Sequence, residues 1–487
     1  MPLFAAACPA CRQRDREIAR LQRRVAELEN ENRQLRLQLD QARRDHERQA
    51  GRFRRRQHKK KCKRPGRPPG HAAAHRPTPT PERIDRIINV PCRQCPDCHV
   101  PLLDPGVVVQ YQTDLPPVVP IVTQFNIETG YCPCCQLRRQ GRHPEQISDA
   151  YAAAGNLFGP VVLTMAAEMK HRLGVPYRKI SDFFASYCDL DICPATFARA
   201  DQRLAERAQP TFQLLREALR RCGVVHADET GWRVGRVNAW LWVFSSQDLT
   251  VYTIRTSRGH EVVEDILGKD FDGFLVVDGL QSYDLIECAK GRCNAHLLRR
   301  CKDLLDVVPK KQQHHLETLL ALIREAIALG ERREQVTPAT YRRRVADIEQ
   351  RLDDWLQAVP VHQPELDRLA NHVARHRGEW LTFLHHPEVP PTNNHAEQML
   401  RPAVISRKIG GCNKTLLGAL VHSILASIMV TCLQQGRKFL DLARRLWRSQ
   451  EPEAIPLTPQ QDEAGSPTHT TWHRPSEPRS PRPPPSG

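Results

Sequence analysis

Two short apolar runs in the middle of the chain each stop at an aspartate, and this pair restricts what can be built around them. The first reads Val224-Val225-His226-Ala227-Asp228 and the second Phe274-Leu275-Val276-Val277-Asp278. Short apolar runs bounded by turn residues read as buried strands. Residues 240–244 and 251–256 supply two more, so 224–290 reads as a sheet of short strands with polar turns. An acid that ends a buried strand stands at the rim of the sheet, where a cation and a substrate can approach. For a single such residue the plainer reading is the start of a turn. Two in succession within one strand-rich block favour a divalent-cation site, because magnesium and manganese take hard oxygen ligands and keep a few waters. Two such ions can activate a water or a 3′-hydroxyl and stabilise the leaving oxygen of a phosphodiester.

Charge points to the same chemistry. Over 487 residues, 72 Lys and Arg oppose 55 Asp and Glu, a formal charge of +17. A chain this basic calls for a polyanionic partner, nucleic acid ahead of an anionic membrane surface. The excess is concentrated: residues 52–67 hold ten Lys or Arg and no acid, and run into Lys63-Arg64-Pro65-Gly66-Arg67-Pro68-Pro69-Gly70-His71. Pro and Gly exclude a helix there, so this is an extended basic arm. Arg64 and Arg67 suit a narrow minor groove, the alternative being a solvated charge run. No run of about 18 apolar residues is evident and the N-terminus lacks a basic signal-peptide start, so the expectation is a soluble, intracellular protein.

Ahead of the arm, Ile18, Val25, Asn32 and Leu39 recur at seven-residue spacing, and Leu21, Leu28 and Leu35 form the companion series. These are a and d positions of a coiled coil, with Asn32 at an a position where a buried amide fixes register in a two-stranded coil. A single amphipathic helix docked on the body is the alternative. The chain has 17 cysteines. Cys95-x2-Cys98 and Cys132-x2-Cys135 are two knuckles whose four thiolates can surround one structural zinc, with Cys92 and Cys134 as spare thiols. The insert between them contains two β-like runs, 107–111 and 121–127. Cys8-x2-Cys11 is a lone pair. Residues 177–187, a turn through 188–193 and a helix from Pro194 to about 208 make a helix-turn-helix candidate with Arg199, Arg203 and Arg207 on one face. A core-packing hairpin with a solvated basic face is the equal alternative. Residues 296–385 and 395–448 read as helical, and the Pro-, Ser- and Thr-rich tail from about 450 as disordered.

Longer stretches around these residues resemble the DDE transposases of bacterial insertion sequences, in particular the insertion sequence sixty-six family. The matching segments are His226-Ala227-Asp228-Glu229-Thr230-Gly231-Trp232, Asp278-Gly279 with Tyr283, Cys293-x2-His296-Leu297-Leu298-Arg299, and Asn393-Asn394-His395-Ala396-Glu397 running into Leu400-Arg401-Pro402 and Arg407-Lys408. The resemblance implies a multidomain α/β protein. Its parts would be a coiled coil (1–45), a basic arm (46–90), a zinc-binding module (91–150), a helical, helix-turn-helix-like DNA-binding region (151–215), a ribonuclease-H-like catalytic domain (216–448) with a helical insertion over about 297–390, and the tail (449–487). It implies a magnesium- or manganese-binding triad of Asp228, Asp278 and Glu397 that cuts the ends of a mobile element and joins them to target DNA. Arg64, Arg67, Arg199, Arg203, Arg407 and Lys408 are the expected DNA contacts. The partners would be the element's ends and target DNA, a second copy of the chain, and accessory proteins of the same element. A DNA-binding regulator derived from a transposase, or a nuclease without joining activity, are the alternatives. Glu397 rests on the resemblance alone; read locally it is a surface acid four residues before Arg401. Glu229 is a further possible metal ligand. Cys293 and His296 have the chemistry of metal ligands but two residues do not complete a site, so His296 reads as a support of the active site or a DNA contact.

Overall fold

The computed structural model describes residues 77–103, 106–150, 152–155, 157–359 and 363–457, with scattered positions between 17 and 31. Asn32, Leu35, Leu39, the basic arm with Arg64 and Arg67, Cys8, Cys11 and the tail from 458 lie outside the described residues. The chain divides into two compact units, one of Met1–Thr123 with Phe183–Asp191, the other of Gln124–Asp182 with Ile192–Gly487.

In the first unit the described zipper positions Ile18, Leu21, Val25 and Leu28 are helical and exposed. Around Cys95, the Cys95 N–H donates to the Val100 carbonyl and the His99 N–H returns to the Cys95 carbonyl, closing a tight turn. Residues 107–111 and the start of the second expected run, up to 123, form no strand and are largely exposed. Val107–Val109 and Ile121–Val122 have the right side chains, but a strand is a pairing, and no described segment offers them a ladder. The remainder of that run, 124–127 in the second unit, is also without strand.

The second unit holds a two-stranded hairpin and a five-stranded sheet. Strands β1 (Thr129–Cys132) and β2 (Leu137–Gln140) pair antiparallel, Cys132 opposite Leu137. The large sheet has β3 (Val224–Val234), β4 (Val237–Ser245), β5 (Thr250–Arg255), β6 (Phe274–Val277) and β7 (Ala289–Arg292) in the order β5-β4-β3-β6-β7. The β3-β4-β5 meander is antiparallel, and β6 and β7 add parallel to β3 and to each other. β3 therefore does not stop at Asp228 as its apolar run suggests; its antiparallel partner β4 carries it six residues further, to Val234. Pairing with β6, in contrast, ends at His226 opposite Val276.

Both faces of this sheet are covered. On one, α3 (Pro194–Arg220) lays down Leu204, Ala208, Phe212, Leu215 and Leu219 at three- and four-residue spacing against Val225, Ala227, Leu275 and Val277. α1 (Pro160–His171), α4 (Glu261–Leu267) and α12 (Phe439–Arg448) complete that core. α2 (Tyr177–Cys188) precedes α3, as expected, across the turn at 189–193. The helix from Pro194 extends well past the expected end at 208, and its Arg207 is not a surface residue: it donates to the carbonyls of Leu446 and Trp447 and lies over the Trp447 ring. On the other face α10 (Asn394–Gly410) packs Ala396, Met399, Leu400 and Ala403 on Trp232, Leu241 and Val243.

α11 (Leu416–Gln434) is long and apolar enough to cross a membrane by length and composition, contrary to the expectation that no such run exists. Its burial explains the composition. It lies along the edge strand β5 and contributes to the cores on both faces, Leu425 and Ile428 to one, Ala426 and Val430 to the other. The Ser427 and Thr431 hydroxyls accept the outward N–H groups of Tyr252 and Thr250, which closes an edge that would otherwise be open to pairing. The start of the tail is also ordered: Ile455 and Leu457 are buried in the core, and the Thr211 hydroxyl donates to the Glu453 carbonyl. Disorder from 449 is thus not what 451–457 show.

Between β7 and α10 come α5 (Asn294–Leu305), α6 (Gln313–Glu331), α7 (Pro338–Ala358), α8 (Pro364–Arg375) and α9 (Thr382–His385). They form a helical insertion with its own core, built on Leu319, Ile323, Ile348, Leu352, Leu369 and Trp380.

Candidate active site

The register places the two aspartates. His226 lies opposite Val276 in the parallel pair. Asp228 and Asp278 each stand two residues further on, hence level with one another and on the same face as His226 and Val276. This is where β6 ends and β3 continues, so a gap opens beside β3 at the C-terminal end of β6. Asp278 accepts the Leu280 N–H at 2.9 Å, and Asp228 the Glu229 N–H at 2.9 Å.

Glu397 reaches the same place from α10, and Asn393 is what brings it there. Fully buried, Asn393 donates from Nδ2 to the Ala227 carbonyl at 2.7 Å and faces His226 Nδ1 with its Oδ1 at 2.9 Å. Its own N–H points at Cys293 Sγ, 3.1 Å away. The Asn393 carbonyl accepts the Glu397 N–H, so the acid sits one turn beyond the anchor. His395 adds a second pin, with Nε2 2.7 Å from the Ser246 carbonyl and 2.9 Å from the Ser245 hydroxyl. Burial holds the His226 ring neutral, its pKa pushed down to about 4, which suits a fixed Nδ1–H donor to Asn393.

The resulting cluster is short of positive charge. Burial raises the Asp228 carboxyl well above its ordinary range, and Glu229, Asp278 and Glu397 all push it further. Glu229, the neighbouring acid, takes the opposite face of β3. Arg258 donates to its Oε1 from Nη2 at 2.7 Å and Nε at 3.1 Å, and the Tyr283 hydroxyl donates to Oε2 at 3.0 Å. It is committed to those partners. Glu397 has no such partner: its Oε1 is buried without a hydrogen bond, and it faces His296 Nε2 at 3.8 Å rather than acting as a surface acid for Arg401. Asp228, its carboxyl raised by burial and by the acids around it, with Asp278 beside it and an unpartnered oxygen of Glu397, makes a donor set that a hard divalent cation fits.

A second ion cluster lies on the same strand ends but is closed. Arg292, with its side chain fully buried at the end of β7, donates to Glu379 from Nε at 2.5 Å, to the Asp278 carbonyl at 2.9 Å, and to Asp284. His376 stands against both acids. Arg292 thereby ties the backbone of Asp278 to the helical insertion. Neither Asn393 as an anchor nor Arg292 as a tie stands out in the sequence; the only signal for Asn393 is its place in the resemblance.

Residues 155–420, more than half of the chain, match the family described as Transposase IS66 family. The chain belongs to that family. No curated protein matches it. Membership implies a transposase that works on DNA with a divalent metal, and the match spans Asp228, Asp278 and Glu397.

The remaining expected site residues fall elsewhere. Arg199 and Arg203 are exposed along α3, and Lys408 is exposed near the end of α10. Arg407 is half-buried and turns inward, donating to the Thr230 hydroxyl at 3.2 Å and to the Gly231 carbonyl. It ties α10 to β3. The two cysteine knuckles share one turn. In each, the residue after the second cysteine takes a left-handed conformation, His99 at φ 61° and Gln136 at φ 54°. In each, backbone N–H groups point at the first sulfur, those of Cys98 and Asp97 at Cys95 and those of Cys135 and Cys134 at Cys132, and hold its thiol below the ordinary value.

Proposed function

We propose that this transposase binds the ends of a mobile DNA element, cleaves a strand at each and joins the freed 3′ ends to target DNA, using Asp228, Asp278 and Glu397 on a ribonuclease-H-like core. The observation that carries this reading is the cluster of three acids, mutually repelling at Asp228 and with one carboxylate oxygen left without a partner. The mixed five-stranded sheet with its helical insertion is compatible with such a core. Magnesium or manganese held by the three carboxylates would activate the attacking oxygen and stabilise the leaving one. The chain's own part is positional. Asn393 fixes Glu397 relative to β3, Arg292 fixes the Asp278 backbone, and Arg258 with Tyr283 keeps Glu229 engaged on the other face.

Arg199, Arg203 and exposed Lys408 are proposed to contact phosphates, with Arg64 and Arg67 of the basic arm in the minor groove; Arg407 supports this surface from within. The zipper is proposed to pair two copies of the chain, which accounts for the exposure of Ile18, Leu21, Val25 and Leu28. Zinc on Cys95, Cys98, Cys132 and Cys135 is supported by the spacing and by the matching turn in each knuckle. The deciding experiment incubates the full chain and magnesium with DNA carrying the sequences that flank its gene, together with a target plasmid. Covalent joining of the 3′ ends to the plasmid is expected. Nicking without joining would make it a nuclease, and binding without either a regulator.

A further inference from the structure

Three donors of different chemistry converge beside the carboxylate cluster, and only one of them belongs to it. Cys293 Sγ, a ring nitrogen of His296 and a carboxylate oxygen of Glu397 all lie within 4.8 Å of one another. The sequence offers the first two as a pair that completes no site; the third arrives from α10, about a hundred residues on. Cys293 is the N-cap residue of α5, and His296 lies on the first turn of that helix. The N–H of Asn393 points at the buried sulfur, an arrangement that supports a thiolate in place. Nδ1 of His296 and Oε1 of Glu397 are both buried without a hydrogen-bond partner.

We infer that Cys293, His296 and Glu397 form a second metal site, one that selects a borderline-soft cation such as zinc and takes Glu397 away from the aspartates. Thiolate, imidazole and carboxylate are the ligand types zinc accepts together, whereas magnesium has no use for sulfur. Zinc bonds of about 2.0–2.3 Å place tetrahedral ligands about 3.3–3.8 Å apart. A nitrogen and an oxygen stand at the short end of that range, so the 3.8 Å between His296 Nε2 and Glu397 Oε1 has to close by about 0.5 Å, which small side-chain rotations supply. Three protein ligands leave a fourth position for water. Binding replaces the Cys293 thiol proton, so one proton leaves for each zinc taken up by the neutral thiol. Zinc and magnesium then compete for one carboxylate: zinc bound at Cys293 holds the chain in a state that binds DNA and does not cut it. The inhibitory part of this inference rests on the proposed catalytic role of Glu397; the binding part does not.

The test uses the full chain with its cysteine knuckles intact, stripped of loose metal and titrated with zinc alone by calorimetry. Wild type is expected to bind one equivalent more than Cys293→Ser and one more than His296→Gln. The second variant changes a partly exposed side chain and guards against a folding defect at Cys293. Cobalt substituted for zinc should give a thiolate charge-transfer band in wild type that exceeds the band of Cys293→Ser. In a magnesium-dependent nicking assay, each protein measured against its own zinc-free rate, half-inhibition should need at least about tenfold more zinc in either variant. Equal zinc stoichiometry in the three proteins overturns the site. An extra equivalent with no change in the inhibiting concentration overturns the competition. Absence of nicking by zinc-free wild type would count against the catalytic reading instead, and leave the stoichiometry to decide the site.

Discussion

Two groups of buried charge meet at the ends of β6 and β7, and they are built on opposite terms. Around Arg292, a fully buried cation has two carboxylates, a histidine and a backbone carbonyl arranged about it. Around Asp228, partly buried carboxylates face each other, with Arg258 turned to Glu229 on the far side of the strand. A closed set of charges tolerates burial and serves to join parts. An open set is costly until a cation arrives from outside, which is how a binding site differs from a structural tie. The carbonyl of Asp278 belongs to the first group and its carboxylate to the second, so the tie positions the site.

That contrast can be broken at several points. Arg292→Met should have the largest effect on stability, about 3–5 kcal/mol, because it leaves Asp284 and Glu379 without their cation. Urea unfolding measures this, and the loss should be at least as large with magnesium as without, because the same tie positions Asp278 for the metal. Asn393→Ala should cost less, about 1–3 kcal/mol, for the orphaned His226 donor and Ala227 carbonyl. Its larger consequence should be a fall in the maximal cleavage rate with little change in DNA affinity, since Glu397 loses its anchor.

The smallest effect should be the most specific. The folded-state pKa values of Asp228 and Glu229 are raised, Asp228 well above its ordinary value. Such groups contribute stability that is fully present below their unfolded values and lost as pH rises through the folded ones. Thermal unfolding of the metal-free protein should therefore contain a contribution from these acids that declines as pH rises from about 4, against the opposite contribution of His226, which burial holds neutral. Asp228→Asn should flatten this decline, and magnesium should offset it in wild type but not in that variant. The same pH profile in metal-free wild type and in metal-free Asp228→Asn would contradict the open-charge description.

Legibility in the sequence follows the range of the interactions involved. Asp278 is readable because β6 does end there, its parallel partners β3 and β7 giving a short, wholly apolar run. Asp228 is half readable: the apolar run names the right acid, but β3 goes on because β4 pairs with it, and Gly231 and Arg233 hide that continuation. The runs 107–111 and 121–127 fail for the converse reason, having strand composition without a described partner. Glu397 cannot be read locally at all, since what aims it is Asn393 bridging β3, α5 and α10 across more than 160 residues. The same distance hides the meeting of Cys293, His296 and Glu397. α11 misleads for a related reason, because an apolar helix shared between two cores has the composition of one that crosses a bilayer.

The most direct test of the central claim is the Asp278→Asn chain beside wild type on a supercoiled plasmid carrying the DNA that flanks the gene. The substitution leaves the backbone carbonyl at position 278 in place to accept from Arg292, so the tie and the fold are expected to persist, and gel-shift binding should be unchanged. Magnesium-dependent nicking by wild type, and a loss of at least about a thousandfold in the variant, is the predicted result. Nicking by Asp278→Asn at a rate near that of wild type would contradict the assignment of these acids to the chemistry.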